Sequence, residues 1–250
     1  MATIGVVVPV YQGEPTLEEL HRRVTAELGA LTGDWEIVYV DDGSADRSWP
    51  LLERFAAGDP RVRAVKLIRN YGEHLAITAG LDHADADLSV IMACDLQDDP
   101  AALPAIVAAA RTTGADLVLT RRMQRQDPVL KRLLARLFYA VVQFFVKVRY
   151  DHRVGNYRAL TRRAVRQFCE YRERTRNVNA IMAIMGLPTT TIDVQHQARG
   201  GGKSGYSISR SARLAFHVLV GYSEVPLQLV VMLGAAVIAA ALARLGWLAW

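Results

Sequence analysis

Along the first 120 residues, apolar runs alternate with amphipathic ones, and two of the apolar runs break off in acid. Ile4–Val10 is almost continuously apolar up to Tyr11 and Gly13, the pattern of a strand buried on both faces. A helix is expected from Thr16, with Glu19 completing a capping box and Leu17, Leu20, Leu28 and Leu31 at helical spacing. Trp35–Val40 reads as a second strand, stopping at Asp41, Asp42, Gly43 and Ser44. A helix around Trp49–Ala57 and a strand over Val62–Ile68 follow, then a loop at Arg69–Glu73 and a helix over His74–Ala84. Leu88–Cys94 reads as the fourth strand, Leu103–Thr113 as a helix and Ala115–Thr120 as the fifth strand. Such alternation with short connections implies an α/β fold with a mainly parallel, doubly wound sheet.

The fourth strand gives way to Asp95, Gln97, Asp98 and Asp99 within a few residues. Carboxylates at the end of a buried strand need a partner or a cation. In open α/β sheets that end is also where ligands bind. Two readings follow: a divalent-metal and diphosphate site, or a polar loop with Asp99 capping a helix that starts at Pro100. A dinucleotide site of the usual kind is excluded, because neither GxGxxG nor GxxxxGK[ST] occurs.

Composition narrows the partners. The chain has 250 residues, 51% hydrophobic, with a net charge of +5. That is enough for one domain of roughly 200 residues and an appendage. The basic residues cluster at Arg121–Arg136, Arg149–Arg176 and Arg199–Arg213, after an acid-rich first half. They lack the interleaved aromatics of a single-strand nucleic-acid binder. Phosphorylated small molecules and anionic lipid remain. Two isolated cysteines, Cys94 and Cys169, suggest neither a disulfide framework nor a CxxC metal site and fit a reducing compartment. The N-terminal run is read as a first strand, not a signal peptide.

Four short motifs, VVVPVY (6–11), VDDGS (40–44), RNYG (69–72) and DLQD (95–98), occur in order over about 100 residues. Together they resemble family 2 glycosyltransferases of the GT-A fold. The pairing of RNYGEHLAITAGL with DLQDDP is similar to the polyprenyl-phosphate glycosyltransferases within that family, such as dolichyl-phosphate mannose synthases and bacterial undecaprenyl-phosphate sugar transferases. The resemblance implies that Pro9, Tyr11, Asp41 and Asp42 hold the nucleoside. It also implies that Asp95 and Gln97 bind Mg²⁺ or Mn²⁺ and the diphosphate, as the later members of a D-x-D-x-Q pattern. Asp95, Gln97 and Asp98 are accordingly the candidate catalytic residues. The chain departs from the pattern at Ala93, where the first Asp is expected, and at Gly13. Asp98 or the substrate would then complete the metal shell.

The second half supplies cations and apolar helices. Arg121, Arg122 and Arg125 are expected on the loop leaving the fifth strand, and Arg122 with Arg125 and Asp127 resembles the family's R-x-x-R-x-D, which implies phosphate contact. Residues 128–149 carry an amphipathic stripe with Lys131, Arg132 and Arg136 on its flank, the pattern of an interfacial helix. GNYRALTRRAV (155–165) resembles the family's next strand and helix; Arg158 is expected near the site and Arg162, Arg163 and Arg166 in solvent. The Gly-rich segment RGGGKSGY (199–206) carries Arg199, Lys203 and Ser204, candidates for the acceptor phosphate. Residues 1–206 are expected to form the GT-A domain and 207–223 a juxtamembrane helix. Val225–Ala243 has only Gln228 as a polar residue and suits a transmembrane helix within 225–250. Relatives usually carry two such spans, so this one is read as a truncated pair or a single anchor. Basic residues before it place the catalytic domain on the cytoplasmic side of the cell membrane.

The resulting expectation is an inverting glycosyltransferase moving a sugar from a nucleotide diphosphate sugar to a polyprenyl phosphate, in the membrane, with self-association open. Two alternatives stay in view. One is a glycan or lipid hydroxyl acceptor, for which Asp98 or Asp99 would serve as base. The other is an inactive nucleotide-sugar-binding membrane protein, motivated by Ala93. A processive polysaccharide synthase is disfavoured by the lack of QxxRW.

Overall fold

The computed structural model describes residues 3–122, 154–172, 177–194 and 225–249. The chain divides into two compact units, Met1–Asp127 with Asp151–Ser204 and Pro128–Tyr150 with Gly205–Trp250. In the first, the elements are β1 (Ile4–Val10), α1 (Glu14–Leu31), β2 (Trp35–Asp41), α2 (Ser48–Gly58), β3 (Val62–Lys66), α3 (Glu73–His83), β4 (Leu88–Ile91), a 3₁₀ turn (Pro100–Ala102), α4 (Leu103–Thr113), β5 (Leu117–Arg122), β6 (Val154–Thr161), α5 (Arg162–Glu170), α6 (Val178–Ile184) and β7 (Thr189–Val194).

Among the described residues the sheet has seven strands in the order β3-β2-β1-β4-β6-β5-β7. β1 pairs in parallel with β2 on one side and β4 on the other. β6 runs antiparallel to both β4 and β5, and β5 is parallel to β7. The chain therefore leaves β1 in one direction through β2 and β3, then returns to its other side at β4. That reversal opens a crevice at the carboxyl ends of β1, β2 and β4.

Every residue of β1 and β2 is buried, which is why both read as unbroken apolar runs. One face of the sheet carries Val6, Val8, Ile37, Tyr39 and Val90 against Leu17, Leu20, Val24 and Leu28 of α1 and Ile106 of α4. α3 covers the other face, and Gly80 makes the close approach possible: a Cβ there would lie 2.3 Å from Val7 Cγ1.

Several boundaries differ from the pattern's expectation. α1 starts at Glu14, not Thr16, because residues 46–48 cap it from outside: Gly13 N donates to Ser48 Oγ (2.9 Å) and Glu14 N to Asp46 Oδ2 (3.1 Å). Thr16 Oγ1 instead donates to Cys94 O (2.6 Å), and Glu19 pairs with Arg22. β3 ends at Lys66, leaving Ile68 exposed, and β4 ends at Ile91, short of Cys94. Arg121 is a strand residue ion-paired to Asp193 (2.6 Å), not a loop residue. Arg162 pairs with Asp85 and Asp87, and Arg163 with Asp116, so neither is simply solvated.

In the second unit, α7 (Val225–Ala249) is the described element. Its segment Val230–Leu248, 19 residues of mean hydropathy 1.9, is long and apolar enough to cross a membrane. The expected amphipathic helix over 128–149 and the juxtamembrane helix over 207–223 lie outside the described residues.

Candidate active site

The crevice is built from the loops that follow β1, β2, β3 and β4. Pro9 lies within β1 in register with Val40, and Tyr11 follows the strand with its side chain about half exposed (49%) at the rim. Gln12 is held at φ +51° with its backbone N–H on Ser44 Oγ (3.0 Å), so the loops after β1 and β2 are fastened together.

Asp41 and Asp42 are adjacent in sequence but do different things. Asp41 is 0% exposed; its Oδ1 accepts from Ser44 N (3.2 Å), and its Oδ2 is buried with no hydrogen-bond partner among the described residues. A buried carboxylate oxygen left in that state is unfavourable unless a ligand satisfies it. Asp42, 2% exposed, has both oxygens occupied, accepting from Tyr71 N (2.7 Å) and Gly72 N (2.8 Å). It latches the RNYG loop to the end of β2. Gly43, at φ +68°, lets the two loops touch: a Cβ there would lie 2.5 Å from the Arg69 carbonyl carbon.

The loop after β4 is braced from several sides. Met92 N donates to Val7 O (3.0 Å), and Ala93 N donates to Asp98 Oδ2 (3.0 Å), which draws the buried Asp98 (3% exposed) inward to close the loop. Asp99 caps the 3₁₀ turn through Ala101 N (3.1 Å) and pairs with Arg23 of α1 (2.5 Å), while Tyr157 OH donates to the Asp99 carbonyl (3.0 Å). The capping expectation for Asp99 is met. At the loop's apex Asp95 Oδ1 accepts from Gln97 N (3.1 Å), and Leu96 between them sits at φ +60°. Gln12 and Leu96 are the two non-glycine residues with positive φ among those described, and both lie at this edge. Burial pushes the Cys94 thiol up to about 11, with the Asp95 and Glu73 carboxylates adding to the effect.

No group of three or more His, Cys, Asp or Glu side chains that could hold a metal ion occurs among the described residues. Asp95 and Gln97 offer two side-chain oxygen donors on this loop, so a cation held there would take its remaining ligands from a bound diphosphate and water, as Mg²⁺ commonly does.

Arg122 ends β5 in register with Val194, so its backbone lies on the sheet's carboxyl edge. Its side chain, and all of Arg125, Arg199, Lys203 and Ser204, lie outside the described residues. Arg158 is buried (2% exposed) and donates to Gly155 O (2.5 Å) and to Asn179 Oδ1, with a sulfur contact to Met182. The motif pattern gave no role to Ser44, which ends VDDGS, or to Asp46 and Ser48 just after it, although all three tie the loops. Nor did it single out Glu73 and His74, which begin α3 immediately after RNYG.

The profile of the family described as Glycosyl transferase family 2 matches residues 5–175. The undecaprenyl-phosphate 4-deoxy-4-formamido-L-arabinose transferase of Pseudomonas fluorescens (strain SBW25) is 38% identical over 232 residues, 92% of this chain and 68% of the relative. The protein of the same name from Shewanella sediminis (strain HAW-EB3) is 34% identical over 232 residues, covering 92% of this chain and 70% of its own. Among solved structures, glucosyl-3-phosphoglycerate synthase from Mycobacterium tuberculosis, in complex with Mn²⁺, UDP and phosphoglyceric acid, superposes with a TM-score of 0.63 at 17% identity over 87% of this chain and 76% of that one. S. aureus TarS with UDP-GlcNAc gives 0.55 at 14% identity over 87% and 65%. At these identities the structures speak for the fold, a GT-A sheet, and the sequences speak for the family.

Proposed function

Because this chain belongs to glycosyl transferase family 2, we propose that it transfers one glycosyl unit from a nucleotide diphosphate sugar to a polyprenyl phosphate at a membrane. The observation that carries this reading is the reach of the similarity: 232 residues aligned with undecaprenyl-phosphate sugar transferases, well past the matched stretch 5–175. What is shared therefore includes the later basic and apolar segments that a lipid phosphate would require.

The residues divide the work as follows. Asp41 Oδ2 accepts from an N–H or O–H of the nucleoside, and the Tyr11 ring at the rim packs on the base. Asp42 holds Arg69–Gly72 in place for both. Asp95 and Gln97 hold a divalent cation, Mg²⁺ or Mn²⁺, which when bound neutralises charge on the departing nucleoside diphosphate. Arg122, Arg125, Arg199, Lys203 and Ser204 take the acceptor phosphate. A phosphate monoester has its second pKa at about 6, so at neutral pH it is already mostly dianionic and attacks the anomeric carbon without a dedicated base. The new C–O bond forms to the acceptor phosphate as the C–O bond to the donor's β-phosphate breaks, inverting the centre in one displacement. α7 anchors the enzyme, and the basic residues before it set the catalytic unit on the cytoplasmic side.

The test is transfer of radiolabel into a lipid extract by purified full-length protein, given undecaprenyl phosphate and a panel of UDP-, GDP- and dTDP-sugars. One donor is expected to give a lipid-extractable product, and chelation with EDTA to abolish it. No product with any donor, despite nucleotide-sugar binding, would overturn the assignment in favour of an inactive binding protein.

A further inference from the structure

We infer that Glu73, oriented by Asn156, recognises hydroxyl groups of the donor sugar; this rests on the reading that the crevice binds a nucleotide sugar. Asn156 and Glu73 are 83 positions apart, yet Asn156 Nδ2 donates to Glu73 Oε1 at 2.6 Å. The register Ile91↔Arg158 sets Asn156 beyond the end of β4, beside the point where the chain enters the loop carrying Asp95. Glu73 acts electrostatically on the thiol of Cys94, the neighbour of Asp95. The carboxylate thus stands on the β4–β6 side, beside the end of β4 from which the Asp95 loop leaves.

Its orientation is built in. Arg158 Nη2 lies 3.4 Å from Asn156 Oδ1, which turns the amide so that its NH₂ faces Glu73. Glu73 is exposed at the start of α3, so its Oε2, which has no hydrogen-bond partner among the described residues, is open to a ligand from solvent. The next residue, His74, has its Nδ1 buried without a partner among the described residues, and burial lowers the pKa of this ring, with Glu73 opposing and Arg158 pushing it further down. At neutral pH the imidazole is therefore neutral, with one nitrogen donating and one accepting.

This set of groups selects its ligand by chemistry. An ionised carboxylate is an acceptor only and repels phosphate, so neither the diphosphate nor the acceptor phosphate suits it. Sugar hydroxyls suit it well, and in a nucleotide sugar they lie next to the diphosphate. An acidic residue in a helix's first turn is favourable on its own account through the helix dipole. That role needs no contact to Asn156 and predicts no difference between ligands.

The experiment is a binding titration of the full chain in detergent with UDP, GDP and dTDP and with UDP-glucose, UDP-N-acetylglucosamine, GDP-mannose and dTDP-glucose, for wild type, Glu73→Gln and Asn156→Ala. For the nucleotide that binds, both variants are expected to weaken its sugar conjugate by about ten-fold, the loss of one charge-assisted hydrogen bond, and to leave the free diphosphate within about two-fold. Equal losses for both ligands, or none, would overturn the inference while leaving the crevice as a nucleotide site. Failure of the wild type to bind any of these ligands would overturn the reading of the crevice and this inference with it.

Discussion

Asp95→Asn is expected to lower turnover by about a thousand-fold, the scale on which removing metal-assisted stabilisation of a leaving group acts, several kcal/mol. Asparagine keeps the oxygen that accepts from Gln97 N, so the turn with Leu96 at positive φ is retained and only the charge is removed. Among the described residues no second carboxylate stands at the motif's first position: residue 93 is alanine, and Asp98 is buried with its Oδ2 accepting from Ala93 N. The measurement is initial transfer rate alongside the melting temperature, which should not move. Retention of more than about a tenth of wild-type turnover would mean that the carboxylate does not carry the cation.

Gly43→Ala is expected to have the largest effect on stability. An alanine at φ +68° costs about 1–2 kcal/mol before any contact is considered. Its Cβ would also lie 2.5 Å from the Arg69 carbonyl carbon and 2.7 Å from Asn70 N, backbone atoms that cannot swing aside as a side-chain tip would. Separating the loops breaks the two hydrogen bonds from Tyr71 and Gly72 to Asp42 and strands a buried carboxylate, adding about 1–3 kcal/mol. The melting temperature should fall by about 6–12 °C, and nucleotide binding should weaken with it, since Asp41 stands two residues before the substituted position. A shift under about 2 °C would show that the two loops are not latched.

The parts of this fold legible in the sequence are those in which one-dimensional pattern and three-dimensional burial coincide. β1 and β2 are buried on both faces and therefore appear as apolar runs, and their acid endings mark the edge that carries the crevice. β7 was not legible: Thr189, Thr190, Thr191 and Asp193 make it polar, because it is an edge strand with a wet side. The local pattern puts the start of α1 at Thr16, two residues late, because its caps come from residues 46–48, more than 30 positions away. Likewise the motif DD marks the crevice edge but cannot divide the labour between its members. Only the fold brings Tyr71 and Gly72 onto Asp42 and leaves Asp41 Oδ2 open. The Glu73–Asn156 contact belongs to the same class, two ordinary polar residues made significant by the pairing of β6 with β4.

The most direct test of the central claim is to offer undecaprenyl phosphate and undecaprenol to the same preparation with the same donor. A phosphate nucleophile held by arginine and lysine predicts transfer to the phosphate alone, giving a glycosyl phosphate that mild acid cleaves. Transfer to the alcohol at a comparable rate would contradict the account, because it would require a general base in the crevice.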